Sequence, residues 1–74
     1  MKLKVELELE EDGRWIAEVV DLPGVLVYGA GPEEAIRAAR ALALRVLADK
    51  LEHGELDSQA NRVEFLLPQH SPAA

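Results

Sequence analysis

The 74-residue sequence predicts an α+β domain of two layers, β-β-β-α-β, with one long helix packed on one face of a sheet. Three observations lead there. Apolar and charged residues alternate strictly over residues 2–10, which is the period of a half-buried strand. Turn residues, Asp12-Gly13 and Pro23-Gly24, divide the stretch that follows. From Pro32 onward, apolar residues recur at helical spacing as far as Gly54.

The first strand places Leu3, Val5, Leu7 and Leu9 on one side and Lys2, Lys4, Glu6, Glu8 and Glu10 on the other. Leu and Glu favour helices, but a helix would scatter these leucines around its circumference, so the period of two decides. Glu11-Asp12-Gly13-Arg14 is a hairpin turn, since Asp and Gly tolerate the positive φ that tight turns require. Trp15 to Val20 returns as a second strand, with Trp15, Ala17 and Val19 on one face. Asp21-Leu22-Pro23-Gly24 turns again: Pro presets φ at the first central position and Gly allows positive φ at the next. Val25 to Tyr28 completes an antiparallel meander.

Gly29-Ala30-Gly31 breaks the strand pattern. Pro32 suits a helix's first position, where its missing N–H costs nothing, and Glu33 and Glu34 meet the positive end of the helix dipole. Gly31 is the expected N-cap, and Gly54 stops a helix running to about His53. On a helical wheel Leu42, Ala35, Val46, Ala39, Ala43, Ile36 and Leu47 form one arc, which Leu51 and Leu44 widen past Arg40. That stripe exceeds what one sheet face needs. Either the helix lies deep under the sheet or a second subunit covers its flank. Glu55 to Asn61 is a polar connection, and Arg62 to Leu67 is a fourth strand with Val63, Phe65 and Leu67 inward, ended by Pro68. Residues 1–68 are thus one domain, and the patternless tail 69–74 is expected to be disordered.

A core this small commonly needs reinforcement, and the absence of cysteine excludes disulfides and thiolate metal sites. A homo-oligomer is therefore expected. The N-terminal stretch has no continuous apolar segment of the signal-peptide kind, and no apolar run approaches the length of a membrane span. A soluble, cytoplasmic protein without membrane contact is expected. Net charge is −6, which disfavours direct nucleic-acid binding. The charge is uneven: −6 over residues 1–34, +3 over 35–51 and −3 over 52–74. This acidic sheet end reads either as an ordinary solvated surface or as an acidic face that attracts a basic partner.

No catalytic group, metal site or cofactor is predicted. His53 falls at the helix end, where an imidazolium suits the dipole, and His70 falls in the tail. Ser58 and Ser71 have no base or fixed turn of the kind a nucleophile needs. Glu6, Glu8 and Glu10 read as a solvated face, and Gly24, Gly29 and Gly31 form no phosphate-binding motif. Trp15 and Tyr28 either cap the core or serve an interface, the residue types that dominate binding hot spots. Trp15, Tyr28, Leu44 and Leu51 are accordingly the candidate partner-interface residues.

The stretch Glu11-Asp12-Gly13-Arg14-Trp15-Ile16-Ala17-Glu18-Val19-Val20-Asp21-Leu22-Pro23-Gly24, followed by Pro32-Glu33-Glu34-Ala35, resembles the HicB-like antitoxin family over roughly residues 3–52. The resemblance implies a partial ribonuclease-H-like β-β-β-α-β fold. It further implies a protein-binding module that self-associates and neutralises a small basic RNA-cleaving toxin. Val25 stands where the family often has Cys, Gly31 where it usually has Ser or Thr, and few residues follow Leu67 to form the DNA-binding domain many members carry. Four functions are therefore weighed. The first is an antitoxin-like module occluding a basic partner, and the second a self-assembling orphan domain with no toxin. The third is an enzyme or small-molecule binder on the outer sheet face. The fourth is nucleic-acid binding through Arg37, Arg40 and Arg45.

Overall fold

The computed structural model describes residues 1–56 and 61–68. The chain forms β1 (Lys2–Leu9), β2 (Trp15–Val19), β3 (Leu26–Gly29), α1 (Pro32–Glu52) and β4 (Glu64–Leu66). One mixed sheet results, ordered β3-β2-β1-β4, with α1 on a single face. The α+β architecture and the order β-β-β-α-β are those the sequence predicts.

The local chemistry accounts for each joint. In the first hairpin the Gly13 amide donates to Glu10 O at 3.0 Å, and Gly13 takes φ +90°. A side chain there would be strained, so glycine allows this turn to close. The second connection is more elaborate. The Lys4 amide donates to Asp21 Oδ2 at 2.8 Å, so a side chain continues the β1–β2 ladder where the chain leaves the sheet. Buried Leu22 anchors the loop. Its carbonyl accepts from the Val25 amide at 3.2 Å across Pro23 and Gly24, the latter at φ +87°. That is the Pro-Gly turn with positive φ at its second central residue.

β1 and β2 are antiparallel, as are β2 and β3, whereas β4 runs parallel to β1 with Leu3 beside Phe65. A parallel return needs a long crossover, and α1 supplies it, carrying the chain from one sheet edge to the other. The helix starts at Gly31, an N-cap without a side-chain hydrogen bond, and Pro32. It ends as a Schellman turn: the Gly54 amide donates to Leu51 O at 3.1 Å and the Glu55 amide to Lys50 O at 2.8 Å, with Gly54 at φ +69°.

The core joins Leu3, Val5, Ala17, Val19, Leu22 and Val25 to Ala35, Ile36, Ala39, Ala43 and Leu47 of the helix. Ala17, Ala35, Ala39 and Ala43 are fully buried, so small side chains let helix and sheet backbones approach closely. Gly29 marks the tightest point, beneath Ala35.

The structure corrects several boundaries and burials. β3 starts at Leu26 and takes in Gly29, and β4 is confined to Glu64–Leu66. Val63 and Leu67, expected inward, are exposed, and only Phe65 of that strand is half-buried. They flank the short ladder rather than sit in it, and α1 packs chiefly on β2 and β3, reaching β4 mainly through Arg40 over Phe65. Leu9, at the hairpin end of β1, is likewise exposed. The expected tail, 69–74, and most of the expected polar connection, including Ser58, lie outside the described residues.

Candidate functional site

The helix covers one face of the sheet, and the opposite face remains open. That outer face is built by strand parity. β1 contributes Lys4, Glu6 and Glu8, β2 contributes Ile16 and Glu18, β3 contributes Leu26 and Tyr28, and β4 contributes Leu66. The register sets Glu6 directly opposite Glu18, Glu8 opposite Ile16, and Lys4 opposite Leu66. Across β2 and β3, Ile16 faces Tyr28 and Glu18 faces Leu26. A groove of ≈ 550 Å³ follows this face, floored by Ile16, Leu26 and Leu66 and bordered by Lys4, Glu6, Glu8 and Glu18.

The electrostatics of the two ends of the face differ. Near β4, Lys2 lies opposite Glu64, a favourable pair. In the middle, Glu6 lies opposite Glu18, and like charges placed so destabilise a sheet. Lys4 Nζ reaches Glu6 Oε2 at 3.6 Å, but among the described residues no cation pairs with Glu8 or Glu18. Those carboxylates therefore present uncompensated negative charge beside an apolar floor.

The four candidate interface residues do not share one surface. Tyr28 stands on the outer face, 45% exposed, with the Arg14 guanidinium 4.3 Å from its ring centre. Arg14 is itself held by Asp12, its Nε 2.7 Å from Oδ2. The Asp12 carboxyl also accepts the Arg14 backbone amide at 3.1 Å. That bond, ahead of the guanidinium's charge, keeps its pKa below the ordinary 3.8. Trp15 lies on the other face, half-buried against the core beside Leu9 and Gly29. Leu44 and Leu51 are on the helix, 50% and 67% exposed, and turned from the sheet.

Of the other groups weighed in the sequence, His53 caps the helix, its Nδ1 2.7 Å from Asp49 O, and Arg40 lies over the Phe65 ring at 5.4 Å. His70, Ser58 and Ser71 are outside the described residues. Among those described, no polar or charged residue is buried and no cluster of His, Cys, Asp or Glu is placed to hold a metal ion. No described helix is long and apolar enough to cross a membrane.

The groove is not contained in the periodicity of any single strand. Two signals point to it. Residues 6 and 18 are equidistant from the hairpin tip at Asp12, and β2 carries apolar Ile16 on the same parity as Glu18. No family model matches the chain, and neither does any curated protein or solved structure.

Proposed function

We propose that this chain is a protein-binding module of antitoxin type that occludes a small, basic, RNA-cleaving partner in the cytoplasm. The observation carrying this reading is the open sheet face, where Glu6, Glu8 and Glu18 border an apolar floor. An apolar contact surface bordered by three carboxylates and one lysine, Lys4, is net negative and suits a partner of the opposite sign, which the net charge of −6 also draws in at long range. The resemblance of residues 11–24 and 32–35 to HicB-like antitoxins supports the same role. Inhibition then works by steric cover and needs no catalytic group.

The test is capture of the tagged chain with its partner from native lysate, followed by an RNA-cleavage assay on the purified partner. A stoichiometric small basic protein whose cleavage of RNA stops on adding the chain is the expected result. A captured protein without RNA-cleaving activity, or one whose cleavage continues in the complex, overturns the reading.

A second reading, a self-assembling orphan domain with no toxin and no heterologous partner, is favoured by Leu44 and Leu51. They stand two helical turns apart on one exposed flank. A defined homo-oligomer as the only captured species would put this reading first.

A further inference from the structure

The cross-strand pair Glu6–Glu18 sets two carboxylates side by side on a surface that supplies one nearby cation, Lys4, to the first of them. Such an arrangement disfavours the isolated sheet and is relieved by a cation from outside. A metal ion is a poor candidate for that cation, because it needs several oxygen ligands converging on a point, and the described residues form no such cluster. A planar guanidinium is a better one. Its fork of donors spans two carboxylates at once, and its weak hydration suits a site next to apolar side chains.

The apolar floor narrows the choice further. Ile16 faces Glu8 across β1–β2, and Leu26 faces Glu18 across β2–β3, so Glu8 and Glu18 each have an apolar neighbour one strand away. Leu66 and Leu67 close the β4 end. An occupant must therefore bring positive charge and apolar surface together, which a segment of protein chain does and a mononuclear cation does not.

We propose that this groove is the docking site for an arginine-bearing segment of a basic protein partner. One guanidinium bridges Glu6 and Glu18, and a neighbouring aliphatic side chain packs on Ile16, Leu26 and Leu66. The inference deepens the antitoxin-like reading and rests on it for the partner's identity, not for the site's chemistry. A second copy of this chain also offers Arg37 and Arg45 on its helix, but two copies each carrying −6 repel, whereas a basic partner is attracted.

The experiment uses the whole chain, isotope-labelled for amide NMR, and a short synthetic peptide alternating arginine and leucine. A lysine-for-arginine version and a glutamate-for-arginine version serve as comparisons. The expected result is shifts confined to Glu6, Glu8, Ile16, Glu18 and Leu26, strongest for the arginine peptide and absent for the glutamate one. The Glu6→Gln/Glu18→Gln variant, which changes only exposed side chains, loses about tenfold in affinity at low salt. That difference shrinks as salt screens the pair. Shifts centred on the helix, equal binding by the variant at low salt, or shifts that arise on concentrating the chain without peptide each overturn the proposal.

The outcomes separate it from the function it deepens. A captured RNA-cleaving partner that binds the double variant unchanged sinks the arginine site and leaves the antitoxin-like role standing. Peptide binding at the groove without any inhibited nuclease does the reverse.

Discussion

A methyl group on Gly29 would lie 2.6 Å from the amide nitrogen of Ala35 and 2.8 Å from its Cα. Both atoms belong to the backbone of the first helical turn, so neither can swing aside. The end of β3 and the start of α1 are therefore packed backbone to backbone, and the absence of a side chain at position 29 sets their separation. Gly29→Ala is expected to destabilise the fold by roughly 1–3 kcal/mol, the range for overpacking a tight site. Chemical denaturation measures it, with Gly31→Ser as the comparison. A Cβ on Gly31 meets nothing within 4 Å, and its φ of −139° is open to any residue. Serine there supplies the cap oxygen that α1 lacks, so that variant is expected to gain a few tenths of a kcal/mol.

The same junction explains which parts of the fold were legible in sequence. Pro32, Glu33 and Glu34 announce the helix start and Gly54 its end, because caps and breakers act locally. Asp12-Gly13 and Pro23-Gly24 announce the meander for the same reason. The strand expected over Arg62–Leu67 forms only as Glu64–Leu66. Its flanking Val63 and Leu67 look like core residues while lying outside the ladder, which pairs only Lys2–Lys4 of β1. The groove depends on the register between strands, which single-strand periodicity does not contain. Trp15 and Tyr28 illustrate the cost: both are aromatic and both lie in the meander, yet one packs on the core and the other faces out.

Glu18 offers a way to set stability against binding. Opposite Glu6 it is unfavourable for the free sheet, and Glu18→Lys converts the pair into one of opposite sign. The variant is expected to gain roughly 0.2–1 kcal/mol in denaturant unfolding while losing affinity for any basic partner seated on the outer face. A variant that loses stability would mean that Glu18 makes a favourable contact in the free protein, contrary to the reading of this face.

Asp12 gives the sheet's hairpin a pH dependence of known sign. Its pKa is lowered in the folded chain, first by the hydrogen bond from the Arg14 amide and then by the Arg14 side chain. A depressed folded-state pKa contributes stability above the unfolded-state value, and that contribution is lost as pH falls through the folded one. The side chain is solvent-exposed, so the effect is local. Carbon-detected NMR titration of the Asp12 carboxyl should give a midpoint below 3.8, moving upward in Arg14→Ala. Because Arg14 also stacks on Tyr28, acidification through that midpoint is expected to shift the Tyr28 ring signals in step. An unmoved ring would uncouple the Asp12–Arg14 pair from the stacking contact.

Leu44 and Leu51 decide between a lone module and an assembling one. They lie on the exposed side of α1, with Ala41 and Ala48 between and before them, while Ala39, Ala43 and Leu47 point to the core. Removing them touches no core contact, so Leu44→Glu/Leu51→Glu should keep the midpoint of unfolding within about 0.5 kcal/mol of the parent in free energy. If the parent chain is a homo-oligomer through this flank, sedimentation should show the double variant as a monomer at concentrations where the parent is not. Charge placed at the centre of an apolar contact is not accommodated there. An oligomer that survives both substitutions must use another surface, and β3 is then the place to look. It is a sheet edge, and its residues Leu26–Gly29 include neither a charge nor a proline to deter pairing with a neighbouring strand.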